Sequence, residues 1–584
     1  MLNLAEKKCM AAIVAGVFIL LPQFTSYALC EAPKASGPGC EQGEASDHAI
    51  YVPVDSWVYP AILRLYGLGY IQHMHLGMRP WTRQNIIQIV HEVSAELDEG
   101  RGGTRAIEAQ KIFKDLRNAM GMEGSCPDSQ NRIKIESLYN VFRGIDGTSL
   151  SDSFHLGQTI INDYGRPEEE GANNYMGASG SIGYGRFALY ARGEGEMTPS
   201  SSGYDADLAQ KLSNIDLTTF INAQTGLPEN QSTIPYGNIQ AIRQGRVVEA
   251  YLSANFLGHV FSFGKQDEWW GPGMGSAMAY SNNAENVYAF HLNRTEELRV
   301  PYLSRITGPF RYEFLVGPTK GHTEPLDPWM HAEKVSLRPT ANLEFGFERT
   351  VLWGGKGHTP ITIHSFLKSF FSMQNVTAAE KNSREDPGAR FGAFDFSYRV
   401  PGMRNWLTFY ADSEAHDDVS PVSAPRRAAY RPGLYLSHFP GLQKLDLRAE
   451  AVNTDASTSR SNHGQFQYWE GVEKQGYTNN GRLFGDWIGR EDKGGQGWVT
   501  YHLSGNEWVQ AALRTQKAAK DFIPGGTTLN DLSFEIVKRF RTEYELKVDG
   551  TVEHWKAPIY LPGEQTVGVV SVEMRWYPKL EKRF

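Results

Sequence analysis

The stretch "RTEYELKVDG", residues 541–550, decides the fold class because two kinds of side chain alternate along it. Every odd-numbered position from Arg541 to Asp549 carries a charge. The positions between them are Thr542, Tyr544, Leu546 and Val548. Successive side chains of a β-strand point to opposite faces of a sheet, so the stretch predicts a strand with one charged and one largely apolar face.

The same period of two recurs from about residue 150 to the C-terminus, with Gly, Pro, Asn and Asp clusters between the runs. The clearest repeats are "RFALYARGE" (186–194), "ANLEFGFERT" (341–350), "AFDFSYR" (393–399) and "KLDLRAEA" (444–451). Alternation is compatible with two folds. A soluble β-sandwich turns the apolar face inward, whereas a transmembrane β-barrel turns it outward to the lipid.

Three features favour the barrel. The strand-like runs fill the whole region without a helical interruption, which is more sheet than one sandwich uses. The chain ends in an alternating run, "VVSVEMRWYPKLEKRF" (569–584), whose last residue is aromatic. Aromatic residues also lie at the ends of many runs, as the girdles of a membrane barrel require, namely Trp406, Tyr410, Trp498, Tyr501, Trp555 and Trp576. We therefore predict a mainly β protein with a transmembrane antiparallel β-barrel over residues 149–584.

Residues 55–148 have helical periodicity and predict a small soluble α-helical bundle. One helix is expected near residues 57–68 and a third from Thr104 to Met120. The second is expected after Thr82, a suitable N-cap, with an apolar stripe of Ile86, Val90, Val93 and Leu97. The segment "IKIESLYNVF" (133–142) is expected to add a fourth helix.

The N-terminus predicts export from the cytoplasm. Lys7 and Lys8 precede an apolar run that ends at Leu21, and Ser26-Tyr27-Ala28 fits a cleavage site. We predict a signal peptide over residues 1–28 and a linker over 29–54. Removal of the signal peptide takes away two positive charges and the negative charge of Glu6, so the net charge changes from -8 to -9. An acidic exported chain is not built to bind nucleic acid.

The composition after residue 28 excludes further classes of protein. No later run of eighteen apolar residues follows, which excludes a helical membrane protein. The three cysteines after residue 28, Cys30, Cys40 and Cys126, have no zinc-site spacing, and their pairing stays open. Loops are expected at roughly 197–240, 378–390, 413–427 and 453–464. Barrels of this class have short periplasmic turns and long outer loops, so these loops are expected outside the cell.

Enzyme motifs are weak throughout the chain. "HEVSA" (91–95) lacks the second histidine of a zinc protease, and "GPGMGS" (271–276) has no βαβ unit around it. Asp267 and Glu268 are neighbours and would point to opposite faces of a strand, so they cannot easily flank one glycosidic bond. We expect no enzyme activity, no cofactor and no metal.

One stretch without helical periodicity, "GKQDEWWGPGMGSAMAYSNNAEN" (264–286), has two adjacent tryptophans between a charged run and an asparagine-rich run. It resembles the capsule assembly protein family typified by Wzi. The matching residues are Gly264, Lys265, Gln266, Trp269, Trp270, Gly271, Pro272, Gly273, Ser281, Asn282, Asn283 and Ala284. The resemblance recurs at "YPAILRLYGLGYI" (59–71), "RPWTRQN" (79–85), "FSYRVPG" (396–402) and "FGDWIGREDKGGQGWVTYHLS" (484–504).

The resemblance implies an outer-membrane barrel of about eighteen strands with a periplasmic helical bundle at its N-terminus. It implies a lectin-like role in attaching or organising capsular polysaccharide or exopolysaccharide at the cell surface. The expected partners are this polysaccharide and the lipids and lipopolysaccharide of the outer membrane, with the chain a monomer. A diffusion porin is the alternative function, and a surface glycan hydrolase is a weaker one.

The motif residues allow two interpretations. The first interpretation is a glycan-binding site, because aromatic rings stack on sugars and planar amides form hydrogen bonds with pairs of hydroxyl groups. The other, weighted slightly higher, is a plug in the barrel lumen, since glycine and proline at 271–273 predict a sharp inward fold. The candidate residues for either are Trp269, Trp270, Asn282, Asn283, Asp486, Trp487 and Arg490. For the plug, we expect the tryptophans and the charges of Lys265, Asp267 and Glu268 to meet the face that carries Glu543, Glu545 and Lys547.

Overall fold

The computed structural model describes residues 45–98, 104–122, 131–373, 376–418, 421–456 and 462–584. The predicted signal peptide, most of the predicted linker and the three cysteines that follow the signal peptide lie outside these residues. Within the described residues, no helix is long and apolar enough to span a membrane.

Eighteen antiparallel strands close into one barrel. The strands are β1 (Arg132–Asp146), β2 (Gly171–Tyr184), β3 (Phe187–Thr198), β4 (Ile242–Phe256), β5 (His259–Lys265), β6 (Tyr288–Arg294), β7 (Phe310–Pro318), β8 (Trp329–Thr340), β9 (Leu343–Trp353), β10 (Ala389–Arg399), β11 (Leu407–His416), β12 (Ala429–Leu436), β13 (Leu445–Asn453), β14 (Asp492–Ser504), β15 (Glu507–Ala518), β16 (Thr528–Phe540), β17 (Tyr544–Lys556) and β18 (Gln565–Trp576). Each strand pairs with the next in the chain, and β18 pairs with β1 to close the ring. The predicted fold class is confirmed.

The residues on the two faces of the strands distinguish this barrel from a soluble β-sandwich. In β3, the side chains of Arg192 and Glu194 are buried on the inner face, whereas Phe187 and Leu189 are exposed on the outer face. The outer surface carries many other exposed apolar side chains, including Phe261, Phe263, Leu513, Phe534, Val552 and Val570. Charged residues inside and apolar residues outside are what a lipid environment requires.

The predicted fourth helix is wrong, because Ile133–Phe142 lies in β1. The barrel therefore begins at Arg132, before the predicted boundary at residue 149. A register shift between Ile135 and Ser137 explains the error. Ile133 is exposed before the shift and Phe142 after it, so the outward positions change from odd to even and the period of two is interrupted.

Three helices form the N-terminal bundle: α1 (Val58–Gly67), α2 (Arg83–Asp98) and α3 (Thr104–Ala119). Their apolar faces meet in one core with Ile62, Leu65, Ile86, Val93, Ile112 and Leu116. The Thr82 hydroxyl accepts a hydrogen bond from the Asn85 amide at 3.2 Å, so Thr82 is the N-cap of α2 as predicted. Short helices lie in the connections between strands: α4 (Ala206–Asp216), α5 (Ser304–Thr307), α6 (Ile363–Phe371) and α7 (Ala378–Lys381).

The two ends of the barrel differ. The bundle lies at the end where β1 begins, since Asn506 in the β14–β15 turn donates to Asp115 of α3 at 2.8 Å. Most connections at this bundle end are tight turns, such as those after β2, β4 and β8. The opposite end, the loop end, carries the long connections at 147–170, 199–241, 266–287, 354–388 and 454–491. The loops expected from composition lie at this end.

Candidate functional site

Residues 264–286, the plug loop, connect β5 with β6 and fold into the barrel interior. Trp269 and Trp270 form a two-stranded sheet with Arg79 and Met78, which precede α2. The Gly271 amide also donates to the Gly77 carbonyl at 2.9 Å. The chain of the N-terminal bundle therefore enters the lumen and pairs with the double-tryptophan motif.

Both tryptophans are buried. Trp269 is 6% exposed, and the Arg79 guanidinium lies over its indole, 5.6 Å from the centre of the Trp269 ring. Trp270 is fully buried, and its indole N–H donates to Glu268 at 3.1 Å. Its ring centre lies 6.2 Å from that of Tyr280 in the same loop. Both indoles are therefore largely withdrawn from solvent.

The expected partners on β17 are wrong. Glu545 pairs with Arg539 at 2.7 Å and Lys547 with Glu535 at 2.6 Å, so these charges are satisfied by β16. The tryptophans meet Met78 and Arg79 instead, because the N-terminal segment occupies the lumen beside the plug loop. Sequence patterns could not show this neighbour.

Two charged residues of the plug loop, Lys265 and Asp267, have partners close by. Lys265 forms an ion pair with Glu285 of the same loop and donates to the Val247 carbonyl at 2.7 Å. Asp267 accepts from three neutral donors, and burial raises the pKa of its carboxyl. The donors are the Val54 amide at 2.8 Å, the Tyr164 hydroxyl at 3.0 Å and the Asn286 amide group at 2.7 Å.

The glycine-rich segment 271–276 brings bare backbone close to carboxylates of the barrel wall. Glu450 of β13 accepts from the amides of Met274 at 2.8 Å and Gly275 at 3.1 Å. Gly271 has φ +151°, and a Cβ there would lie 2.6 Å from a carboxylate oxygen of Asp412. Only glycine fits such a close approach, so the glycines serve packing here rather than nucleotide binding.

Arg431 of β12 joins the plug loop to a second predicted motif. It donates to Glu450 at 2.9 Å, to Asp486 at 2.6 Å and to Gln496 at 2.9 Å. The adjacent Trp487 donates to the Gly275 carbonyl at 3.1 Å. The tertiary fold thus brings Asp486 and Trp487 to the plug loop, where both are buried together with Arg431 and Glu450.

The asparagines tie further loops to the plug. The Asn282 carbonyl accepts from the Tyr164 amide at 2.7 Å. The Asn283 side chain donates to Gln158 at 2.9 Å and to the Leu483 carbonyl at 3.2 Å. Asn282 therefore ties the plug loop to the 147–170 connection, and Asn283 ties it to both the 147–170 and 454–491 connections.

Arg490 lies in a separate buried network. It donates to Asp216 at 2.6 Å, and Asp216 also pairs with His155 at 2.8 Å. The second ring nitrogen of His155 lies 3.0 Å from Asp152. Burial alone would lower the pKa of His155, but the two carboxylates outweigh it and raise the pKa to about 9. Sequence analysis missed His155, Asp216, Arg431 and Glu450, since no local motif marks them.

An open cavity of about 860 Å³ lies at the loop end, between the β7–β8 and β9–β10 connections. Trp329 is half-buried in its wall and meets Trp353 edge to face, with ring centres 6.2 Å apart. The polar residues of its lining are Asp327, Lys356, His358, Asn382, Ser383 and Arg384. Sequence analysis did not single out this surface, because its residues come from separate loops.

Comparison with known proteins agrees with the resemblance seen in the sequence. The sequence model of the capsule assembly protein Wzi family matches residues 142–567. An uncharacterized 55.8 kDa protein in the cps region of Klebsiella pneumoniae is 24% identical over 212 residues, which is 36% of this chain. The match spans 40% of that relative's length.

The solved structure of Wzi from Escherichia coli is similar to this one. That protein is described as an outer membrane protein involved in group 1 capsule assembly and a carbohydrate-binding β-barrel. The two structures have a TM-score of 0.64 and 16% identity, over 91% of this chain and 100% of that chain, which shows a shared fold. Because the family's sequence model covers well over half of the chain, the protein belongs to the capsule assembly protein Wzi family.

Proposed function

We propose that this protein is an outer-membrane capsule assembly protein that binds capsular polysaccharide or exopolysaccharide at the loop end and holds it at the cell surface. The binding breaks no bond in the polysaccharide. The observation that carries the proposal is the combination of a lumen filled by the plug loop with an open, tryptophan-walled cavity at the loop end.

The filled lumen favours attachment over diffusion. Glu450 holds the plug loop through the backbone amides of Met274 and Gly275, and the buried ion pairs of Arg431 with Glu450 and Asp486 fix that carboxylate in place. Removing one partner of a buried ion pair lowers the free energy of unfolding by about 3–5 kcal/mol. A diffusion porin requires an open path, so the closed state supports the capsule function.

The loop-end cavity has the chemistry that polysaccharides need. The Trp329 ring offers an apolar face for the C–H groups of a sugar, and Asn382 offers both a donor and an acceptor for its hydroxyls. Lys356 and Arg384 add positive charge, although Lys356 is partly neutralised by Asp327 at 2.6 Å. This lining suits a neutral or acidic polysaccharide.

The other parts of the molecule have roles consistent with this orientation. The long loops face the outside of the cell and the helical bundle lies in the periplasm. The exposed apolar side chains of the strands contact outer-membrane lipid and lipopolysaccharide, and the chain acts as a monomer. Trp269, Trp270, Asn282, Asn283, Asp486 and Trp487 serve the plug, and their side chains do not contact the glycan.

The proposal is tested with Trp329→Ala, and Trp406→Ala is the matched control. Trp406 is also a half-buried tryptophan, but it lies in the β10–β11 turn at the bundle end. Each variant replaces the wild-type gene in the encapsulated parent strain, and retained capsule is compared with that of a deletion strain. We expect Trp329→Ala to release polysaccharide into the medium and Trp406→Ala to retain it.

The double variant Trp269→Ala/Trp270→Ala separates the two interpretations of the motif. The plug interpretation predicts a conducting or less stable barrel in planar bilayers, because two large buried aromatics are lost. A closed, stable barrel that no longer holds polysaccharide would instead make the tryptophans the glycan site. Large steady channels in the wild-type protein would favour a porin, and turnover of purified polysaccharide would favour a hydrolase.

A further inference from the structure

Three sequence-distant side chains meet inside the barrel, where the plug loop touches the wall. They are Glu268 of the plug loop, His291 of β6 and Glu313 of β7. Each is at most 1% exposed. One ligand-type atom from each residue lies within 4.8 Å of the others, and the His291 Nδ1 atom lies 3.1 Å from Glu268.

Glu268 accepts from the Gln266 side chain at 3.3 Å and from the Trp270 indole at 3.1 Å, but the polar atoms of Glu313 and His291 are poorly satisfied. Among the described residues, no donor is aligned with either carboxylate oxygen of Glu313, although the Asn293 amide and Glu268 face it. Neither ring nitrogen of His291 has an aligned hydrogen bond, in spite of its closeness to Glu268. Buried polar atoms normally have partners, so the Glu313 carboxylate and the His291 nitrogen beside Glu268 indicate a missing ligand.

The charge of the cluster points to a cation. No lysine or arginine of the described chain forms an ion pair with Glu268 or Glu313. The neighbouring Arg311 donates instead to the Arg294 carbonyl at 3.0 Å and to Asn293 at 3.5 Å. Two buried carboxyl groups without a cation are costly unless they bind protons or a metal.

Two similar groups elsewhere in the described residues already hold a cation. His358, Asp386 and Glu473 surround Lys381, whose ammonium lies 3.4 Å from Asp386 and 3.3 Å from Glu473. The same ammonium lies 3.4 Å from Glu470, which belongs to the third group, with His416 and Asp417. The Glu268–His291–Glu313 cluster has no such lysine.

We propose that Glu268, His291 and Glu313 bind one divalent transition-metal ion, with Zn²⁺ as the preferred ion. One imidazole and two carboxylates are common zinc ligands, at about 2.0–2.2 Å from the metal. Tetrahedral ligands at that distance are about 3.4 Å apart, so the three atoms need to approach by no more than a side-chain adjustment. The buried Tyr51 hydroxyl lies near both carboxylates and has no aligned hydrogen bond within the described part of the chain, so it is available as the fourth ligand.

The metal would cross-link separate segments of the barrel interior. Glu268 comes from the plug loop, His291 and Glu313 from the wall, and Tyr51 from the N-terminal segment, so one ion would join three parts of the interior. The Trp270 indole donates to the second oxygen of Glu268 at 3.1 Å and would fix the orientation of that carboxylate. The double-tryptophan motif would then position a metal ligand as well as fill the lumen.

The test uses the full chain in detergent after treatment with a chelator. The wild-type protein is titrated with Zn²⁺, and with Co²⁺ as a spectroscopic probe of coordination. We expect one bound ion per chain, a Co²⁺ absorption spectrum typical of nitrogen and oxygen ligands, and a higher temperature for the loss of the folded gel band. Glu313→Gln and His291→Gln should each weaken binding by at least about 100-fold.

The matched control is His331→Gln, because His331 is also buried, but it lies on the outer face of β8 under α6 and is satisfied by Glu333 at 2.7 Å and Ser369 at 2.9 Å. It should bind Zn²⁺ like the wild type. The folded gel band shows whether each variant has assembled, and the wild-type titration does not depend on any variant. The proposal is overturned if folded wild-type protein binds no stoichiometric ion, or if Glu313→Gln and His291→Gln bind as well as His331→Gln. A protonated carboxyl band in the infrared spectrum that persists with Zn²⁺ present would equally overturn it, because the two glutamates would then share protons instead of a metal.

Discussion

The helical bundle and the plug loop each depend on buried contacts, but of different kinds. The bundle has an apolar core in which Ile62, Leu65 and Ile112 are fully buried. The plug loop has directed polar contacts, such as those of two backbone amides with Glu450, which in turn pairs with Arg431. Hydrophobic packing is non-directional and tolerates adjustment, whereas a buried charge depends on its specific partner.

This difference teaches that a barrel interior is closed by directed polar contacts as well as by an apolar cluster, which here includes Trp270, Tyr280 and Phe484. The barrel turns its apolar side chains to lipid, so its inner face must be polar. A segment that fills such a lumen has to match donors with acceptors and cations with anions. We therefore expect single polar substitutions to damage the plug more than single apolar substitutions damage the bundle.

The largest effect is expected from Arg431→Ala. The substitution leaves Glu450 and Asp486 buried without their cation, which costs about 4 kcal/mol and loosens the plug loop. The loss of the folded gel band on heating measures the first effect, and planar-bilayer conductance measures the second. The exposed Arg243 on β4 provides the control Arg243→Ala. An unchanged melting temperature with a silent barrel would show that the charge network does not hold the plug.

Ile62→Ala should destabilise the bundle by about 3.5 kcal/mol, because a fully buried side chain in its core is truncated. The barrel should stay closed, since the lost contacts lie in the apolar core of the bundle. Limited proteolysis of the N-terminal helices, together with conductance, separates the two regions. Leu63→Ala, at a half-buried position of the same helix, should have a smaller effect. Channel opening by Ile62→Ala would argue that bundle and plug are one unit.

The His155 network makes the loop end sensitive to pH. The fold raises the pKa of His155 from 6.5 to about 9, so its charged form stabilises the folded state. The contribution is full below about pH 6.5 and is lost as the pH rises through about 9, with a total of up to about 3 kcal/mol. Urea unfolding across this window should show the loss in the wild type, and His155→Gln should remove it. His554→Gln, at an exposed position, should retain the wild-type pH dependence.

The smallest effect is expected from Thr82→Ala. The substitution removes the N-cap of α2 and should cost about 1 kcal/mol of bundle stability. Hydrogen exchange at the first amides of α2 measures this local change. Thr82→Ser keeps a capping hydroxyl and should restore protection. Faster exchange in the plug loop of Thr82→Ala would contradict the independence of the two regions.

The sequence predicted most of the wall and of the bundle. Runs such as "RFALYARGE" fall in β3 with the inner and outer faces as a barrel requires, and Thr82 begins α2. It failed at Ile133–Phe142, where the register shift interrupts the alternation. It also failed for the partners of the double tryptophan, which are Arg79 and Met78 instead of charges on β17. At Ile133–Phe142 the register shift breaks the alternation of side chains that predicts a strand. For the partners of the double tryptophan, no local sequence pattern carries the information.

By itself, the sequence determined the fold class, the separation of bundle from barrel and the positions of the loops, because side-chain periodicity is a local property that each segment carries alone. The family resemblance added the double-tryptophan motif. Only the tertiary structure decided what that motif touches. Gly275 and Glu450 are 175 positions apart, and Glu268, His291 and Glu313 come from a loop and two strands. Such residues meet only after the strands have closed the ring, because the closed barrel fixes which inner side chains face each other across the lumen.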